Sequence, residues 1–597
     1  MESCRFEIPD CPPGDVALLR LQLGVSDALA QILVRRGHRE PRAAQAFLAA
    51  DETHPPQAFA GIGDAVELLL RHLDEGTRIT VHGDYDVDGV CATAVLVRAL
   101  GALGADVDHF IPDRAGDGYG LSAETVRRLA ARGTRLLVTV DCAITAVEEV
   151  ELARSLGLEV LVSDHHAPRG DGALPRASIV HPGVCGYPCP DLCATAVAHK
   201  LAQALVAAAG AGAGGERAAS AGAALRADLD LVALATVADV VPLVGENRTL
   251  VRQGLRALAA TTKPGLRELM AIARVAPATV GERAVAFALA PRLNAAGRLY
   301  RADGALELLL TDSPARAVAV AGELDDANRE RRRVELGIRL EAEGQMRALG
   351  ERPAYVLAGE GWHPGVIGIV ASRLVESSGR PVVLVALAGE HGRGSGRSIE
   401  GFDLLGGLRA CEAHLSRYGG HRAAAGLEIE RARLGAFAED LAAHAGERLS
   451  GRELLPLERV DAVVAGAQLG MGLAEELRAL APFGRGNPVP ALMVADATFS
   501  DIRPMGEGRH ARFTVHSGGA RARAVAFGSG VRLAGAEGEA VQATFTLEVN
   551  EWNGVSEPRL VLRRAQAPAP QPAPPQIPPD REPIEAGGGR LALFALP

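Results

Sequence analysis

The sequence predicts an α/β protein with a doubly wound parallel sheet in its first half and an all-β module near its C-terminus. Four short apolar or β-branched runs, at 78–81, 107–111, 135–140 and 158–162, are each followed by a polar turn and then by apolar residues at helical spacing. That alternation is the pattern of a parallel sheet covered by helices on both faces. Five short runs of strand character, at 491–495, 512–515, 523–527, 541–549 and 559–562, then follow one another with no helical pattern between them, which fits a barrel of the OB type. At 597 residues the chain is too long for one core, so three to four domains are expected.

Composition narrows the function classes. With 48% hydrophobic and 23% charged residues the chain reads as a soluble globular protein. The net charge of −10 removes whole-molecule attraction to nucleic acid, so such a partner needs a local basic groove or bound cations. The N-terminus lacks a charged segment followed by an apolar core, and no apolar run reaches membrane-spanning length; a cytoplasmic protein with no membrane partner is expected. Eight cysteines are then reduced thiols. Cys185, Cys189 and Cys193 recur near His181 and His199, but the spacing and the intervening prolines disfavour zinc.

In chain order, three amphipathic stretches at 15–23, 28–36 and 41–48 suggest a small N-terminal helical cap. The strand at 78–81 runs into His82-Gly83-Asp84-Tyr85-Asp86-Val87-Asp88-Gly89, and a helical pattern through Ala92, Val95, Leu96 and Leu100 follows. Asp84, Asp86 and Asp88 alternate, so three carboxylates crowd one side of an extended segment unless cations neutralise them. A calcium helix-loop-helix site fits poorly, because a strand precedes the carboxylates and no Glu closes the loop.

Further segments deliver ionisable residues at equivalent places. The strand at 135–140 ends in Asp141, the strand at 158–162 leads to Asp164-His165-His166, and the apolar segment 229–238 ends at Asp239. A single such Asp is an ordinary helix cap. Four segments ending this way point to a shared centre, and carboxylates with imidazoles suit two Mn²⁺ or Mg²⁺ ions better than zinc.

These motifs, with Arg114 and Gly118-Tyr119-Gly120, Asp141-Cys142, and Thr236-Val237-Ala238-Asp239, resemble the DHH phosphoesterase superfamily. Within it the chain is most similar to the bacterial RecJ single-strand-specific DNA exonucleases. The likeness continues through Asn294-Ala295-Ala296-Gly297-Arg298, Gly361-Trp362-His363-Pro364-Gly365, Gly394-Ser395-Gly396-Arg397 and Tyr418-Gly419-Gly420-His421. Ala143 and Ala235 stand where the family usually has Gly, Asp117 where it has Glu, and Ala194-Thr195-Ala196 replaces a Gly-containing turn.

The resemblance implies a helical cap (1–55), a DHH catalytic domain (56–265), a connecting helical segment (266–350), a DHHA1-type α/β domain (351–452), an OB-type nucleic-acid-binding domain (453–565) and a Pro-rich tail (566–597). A long charged helix at 321–350 would join the two α/β domains, and its arginines 329–333 read as a solvated face. Two ions would be held by His82, Asp84, Asp86, Asp88, Asp141, His165 and Asp239, with Asp84 and Asp164 as ligands or orienting groups and His166 contacting the phosphate or protonating the leaving 3′-oxygen. Arg114, Tyr119, Asn294, Arg298, Ser395, Arg397 and His421 would hold the strand. Phe513, Phe527 and Trp552 are candidates for stacking on bases, with core positions the plainer reading.

The family's activity would be 5′→3′ digestion of single-stranded DNA to mononucleotides in repair and recombination, by a monomer. The alternative is a small-substrate phosphoesterase of the same superfamily, acting on short oligonucleotides or cyclic dinucleotides. Single-strand-binding protein, a repair helicase and the sliding clamp are the expected protein partners, the last through Leu591-Ala592-Leu593-Phe594, which resembles a clamp-binding motif with Arg590 at the usual Gln position.

Overall fold

The computed structural model describes residues 4–113, 120–211, 215–299, 302–451, 457–528, 530, 533, 538–552 and 555–567. The first α/β unit is built on a five-stranded parallel sheet. Its spatial order is Val107–Phe110, Ile79–His82, Leu136–Val140, Glu159–Ser163, Ser178–Val180. Ile79–His82 and Leu136–Val140 are buried along their whole length, as strands covered on both faces must be. Counting within the sheet the order is 2-1-3-4-5, so the chain reverses direction of growth between Ile79–His82 and Leu136–Val140. Ligands of such sheets collect beyond the strands' carboxyl ends at that reversal, where His82 and Asp141 lie.

The helix Val87–Leu103, buried on nearly every side, covers one face of the sheet with Ala194–Gly210 packed against it. The segment ending at Asp239 is not a strand like the other three: Leu229–Ala238 is an α-helix and Asp239 its C-cap. A short run that is apolar all round has no period to distinguish the two states, and burial inside the helical layer decides it.

A helix of 36 residues, Pro314–Leu349, leads to the second α/β unit. There the sheet order is Leu415–Gly420, Ala424–Glu430, His391–Arg397, Val382–Ala388, Tyr355–Glu360, antiparallel except for the last pair. Of the arginine run, Arg329 and Arg333 are exposed, while Arg331 turns inward to Glu335 and Asn328.

The C-terminal strands Leu492–Met505, His510–Ser517, Ala520–Ala526, Val541–Trp552 and Val555–Gln566 close into a barrel through the pairing of Leu492–Met505 with Val541–Trp552. The N-terminal helices Pro13–Leu23, Asp27–Arg35 and Pro41–Ala49 share one core with it: Leu19, Leu29, Leu33 and Ala44 pack in the same cluster as Leu473, Phe499 and Phe545. The strand Arg5–Glu7 pairs in parallel with Leu457–Arg459, which joins the N-terminal segment to the start of this module. Phe513 belongs to that core, 4.8 Å from Phe499, whereas Phe527 is 52% exposed.

Candidate metal centre

The centre is assembled from turns that break each element off sharply. Asp86 caps the helix Val87–Leu103, its Oδ1 accepting from the backbone nitrogens of Asp88 (3.0 Å) and Gly89 (3.2 Å). Gly89 must lack a side chain, since a Cβ there would lie 2.5 Å from the nitrogen and 2.7 Å from the Cα of Asp84. Asp141 leaves its strand with φ +63°, a left-handed conformation that Asp tolerates better than most residues, and Ala143 follows at φ +82°.

Asp88 points at the N-terminus of Ala194–Gly210, where its carboxylate accepts from Ala194 N (2.7 Å), Thr195 N (2.8 Å) and Thr195 Oγ1 (2.6 Å). That helix end favours the anion, and the sequence offered Thr195 only as part of a departure from the family pattern. His165 Nε2 stands 3.3 Å from Asp141 Oδ1 and 3.8 Å from both Asp88 Oδ2 and Asp239 Oδ2. Three overlapping groups could each hold an ion, their ligand atoms within 4.8 Å of one another: Asp84, Asp86 and Asp141; Asp88, His165 and Asp239; Asp141, His165 and His166.

The donor set fits divalent cations. Asp141 Oδ1 and His165 Nε2 are buried with no hydrogen-bond partner, although both face the middle of the cluster, and buried polar atoms are rarely left so without a ligand. Burial and then neighbouring carboxylates raise the pKa of Asp141 well above the ordinary range; the same causes raise Asp86 and push Asp239 up to about 8. Cations would reverse these shifts. His82 Nδ1 lies 3.6 Å from Cys142 Sγ; with its proton on that nitrogen, Nε2 is left to ligate.

Asp164 stands apart as an organiser. Its Oδ1 accepts from the backbone nitrogens of His165 and His166 and from His166 Nδ1 at 2.8 Å, and its Oδ2 from Ile144 N. Burial is the largest influence and opposes charge on His166, but the Asp164 hydrogen bond together with the charges of Asp164, Asp239 and Asp88 outweighs it and raises the pKa to about 9.

Two cavities hold other sequence-predicted residues. One, of about 770 Å³, lies between the end of Leu229–Ala238, the π-turn Val285–Leu289 and residues 483–489; Phe287, Val240 and Val489 give it an apolar wall, and Arg298 and Arg485 add charge. Arg485 also passes close enough to Asp239 to draw its pKa down, and its carbonyl accepts from Leu243 N at 2.7 Å; no sequence signal marked it. The other cavity, about 630 Å³, lies on the second sheet and is lined by Arg298, His363, Arg393, Ser395 and Tyr418 among others. Arg298 thus borders both, and Arg397 Nη1 reaches Ser395 Oγ at 3.1 Å.

Asn294 lines the first cavity, while its Oδ1 accepts from Val87 N at 3.1 Å and so holds the start of the Asp88 helix. His421 lies in the turn between Leu415–Gly420 and Ala424–Glu430, exposed, and lines neither cavity. Arg114, Tyr119 and Leu591 to Phe594 lie outside the described residues, as does the Trp552 side chain.

Three family models match the chain: the DHH family N-terminal domain over residues 78–236, the DHHA1 domain over 352–447 and the RecJ OB domain over 460–564. The single-stranded-DNA-specific exonuclease RecJ of Bacillus subtilis (strain 168) is 35% identical over 570 residues, 94% of this chain and 70% of the relative. The crystal structure of RecJ in complex with Mn²⁺ from Thermus thermophilus matches with a TM-score of 0.82 at 34% identity, covering 95% of this chain and 80% of that one. The Mg²⁺ complex from the same organism matches with a TM-score of 0.75 at 32% identity, covering 95% and 79%.

Proposed function

The chain belongs to the RecJ family of single-stranded-DNA-specific exonucleases, and we propose that it digests its strand from the 5′ end to mononucleotides, using the cluster around Asp141 and His165. It is a metal-dependent hydrolase of single-stranded DNA, and its ions are Mn²⁺ or Mg²⁺. In our reading His82, Asp84, Asp86 and Asp141 hold one ion, and Asp88, Asp141, His165 and Asp239 the other. The observation that carries this is the convergence of Asp141 Oδ1 and His165 Nε2, buried 3.3 Å apart with no hydrogen bond made by either, at the sheet's reversal point.

When bound, two such ions supply Lewis acidity that acidifies an attacking water and offsets the charge of the scissile phosphate. The protein's own residues do the rest. Asp164 holds the His166 ring by its Nδ1 and favours its charged form, and that ring donates toward the phosphate or the leaving 3′-oxygen. Arg298 and Ser395 in the second sheet's cavity, with Arg397 beside Ser395, hold the 5′ end, and Arg114, Tyr119, Asn294 and His421 are further strand contacts. Contacts of this kind grip backbone and stacked bases without reading sequence. The barrel favours long strands over dinucleotides, which need only the two α/β units.

The protein acts as a monomer in the cytoplasm, in repair and recombination. Single-strand-binding protein and a repair helicase are proposed partners, with the sliding clamp docking on Leu591 to Phe594. A free peptide of that segment that fails to bind purified clamp removes the last.

Polarity is tested with a single strand of about 50 nucleotides labelled at either end, with Mn²⁺, a matched duplex and an Asp141→Ala control. The 5′ label is expected to appear early as mononucleotide from the single strand only, and not at all with the variant. Early release from the 3′ label contradicts the proposed polarity.

A further inference from the structure

Outside the residues assigned so far, one buried imidazole reaches the end of the Asp164-His165-His166 loop. His181 follows the strand Ser178–Val180 and is 4% exposed. Its Nδ1 lies 3.1 Å from the backbone nitrogens of both Gly183 and Val184. Two N–H donors aimed at one ring nitrogen require a lone pair there, so the ring's proton sits on Nε2. That N–H donates to the carbonyl of His166 at 2.8 Å. The surroundings therefore dictate one tautomer, and that tautomer ties down one carbonyl.

The loop's other end is held independently. Asp164 N donates to Val180 O at 3.2 Å, and Asp164 Oδ1 gathers the nitrogens of His165 and His166. The His166 side chain is 42% exposed, with Asp164 its close partner at 2.8 Å. A side chain that open keeps one orientation only if its backbone does.

We propose that His181 is a positioning residue for His166: by holding the His166 carbonyl it aims the His166 side chain at the leaving oxygen of the strand. This rests on the role given to His166 above. The ring has two separable functions. An Asn side chain puts its amide oxygen where Nδ1 stands and accepts the same two N–H groups, as in an Asx turn, but is too short to reach His166. A Gln side chain brings an amide nitrogen to the place of Nε2 and leaves nothing at Nδ1. Asn keeps the turn and loses the tether; Gln keeps the tether and weakens the turn.

The full-length protein, with Mn²⁺, is assayed on an ordinary strand and on one whose scissile 3′-bridging oxygens are sulfur, a leaving group that departs without a proton. His181→Asn is expected to melt close to the parent while kcat falls by about 10- to 100-fold at little-changed KM. The loss should largely vanish on the sulfur-bridged strand. His181→Gln should recover most of kcat despite a lower Tm. Activity that simply follows Tm across the two variants overturns the proposal, as does an Asn defect of equal size on both strands. His166→Ala is run alongside. If it stays slow on the sulfur strand, the proton-donor role of His166 fails, and the difference in kcat between the Asn and Gln variants decides the positioning role alone.

Discussion

Ala143 and Ala235 both stand where a glycine was expected, and their backbones explain why they differ in consequence. Ala235 lies inside the helix Leu229–Ala238, where alanine is the better residue. Ala143 sits at φ +82°, which costs an L-residue about 1–2 kcal/mol. Glycine would release that cost but add freedom to the unfolded chain. Ala143→Gly is therefore expected to stabilise the protein by a net amount under about 1 kcal/mol, measured by denaturant unfolding. A loss of stability would show that the turn after Asp141 is not strained.

The carboxyls of the cluster supply a pH dependence whose sign follows from their shifts. In the metal-free fold Asp86, Asp141 and Asp239 keep protons at pH values where the unfolded chain has lost them. Their contribution to stability is complete below the ordinary carboxyl range, about 4, and is lost as pH rises through the folded values, about 8 for Asp239. Metal binding needs the deprotonated groups. Melting curves in chelator should thus fall in Tm between about pH 5 and 8.5, while the Tm gained on adding Mn²⁺ grows over the same interval. A Mn²⁺ gain that shrinks with rising pH would contradict the assignment.

At the scale of elements, the strands ending at His82 and Val140 were readable because fully buried parallel strands are apolar runs cut off by polar turns. The helix Leu229–Ala238 was not, because an all-round apolar decamer carries no period. The acidic residues of the centre could be named from their places after such runs. What supports them could not: Thr195 beneath Asp88, Cys142 beside His82 and Arg485 beside Asp239 meet their partners only across long sequence separations. The close fit of elements also makes Gly89 indispensable, since a methyl group there would collide with the Asp84 backbone. Gly89→Ala should lower Mn²⁺ affinity by 10-fold or more, on the scale of about 10–100-fold seen when groups orienting a ligand are removed. Isothermal titration of Mn²⁺ measures it, and unchanged affinity would mean that the loop can shift without loss.

For the whole molecule, the sequence showed an N-terminal cap and a C-terminal barrel as separate patterns, and their shared core is a long-range contact that no local pattern records. Arg248 pins the arrangement. It is 1% exposed and donates to the carbonyls of Phe47, Leu480 and Ala479, tying the catalytic unit to the N-terminal helices and to the segment leading into the barrel. Arg248→Met strands those buried acceptors and should cost about 3 kcal/mol in denaturant unfolding, with little change in Mn²⁺ affinity. That separation follows because the carbonyls Arg248 holds belong to none of the residues that would ligate the ions.

In the proposed site the carboxylates and His165 would hold two ions in one centre, with Asp141 contributing to both. Electron paramagnetic resonance of the protein titrated with Mn²⁺ distinguishes this centre from separate sites. Two ions per chain with an exchange-coupled spectrum are expected, with loss of the coupling in Asp141→Ala. One ion per chain, or two uncoupled ions whose spectrum the Asp141 substitution leaves unchanged, would contradict it.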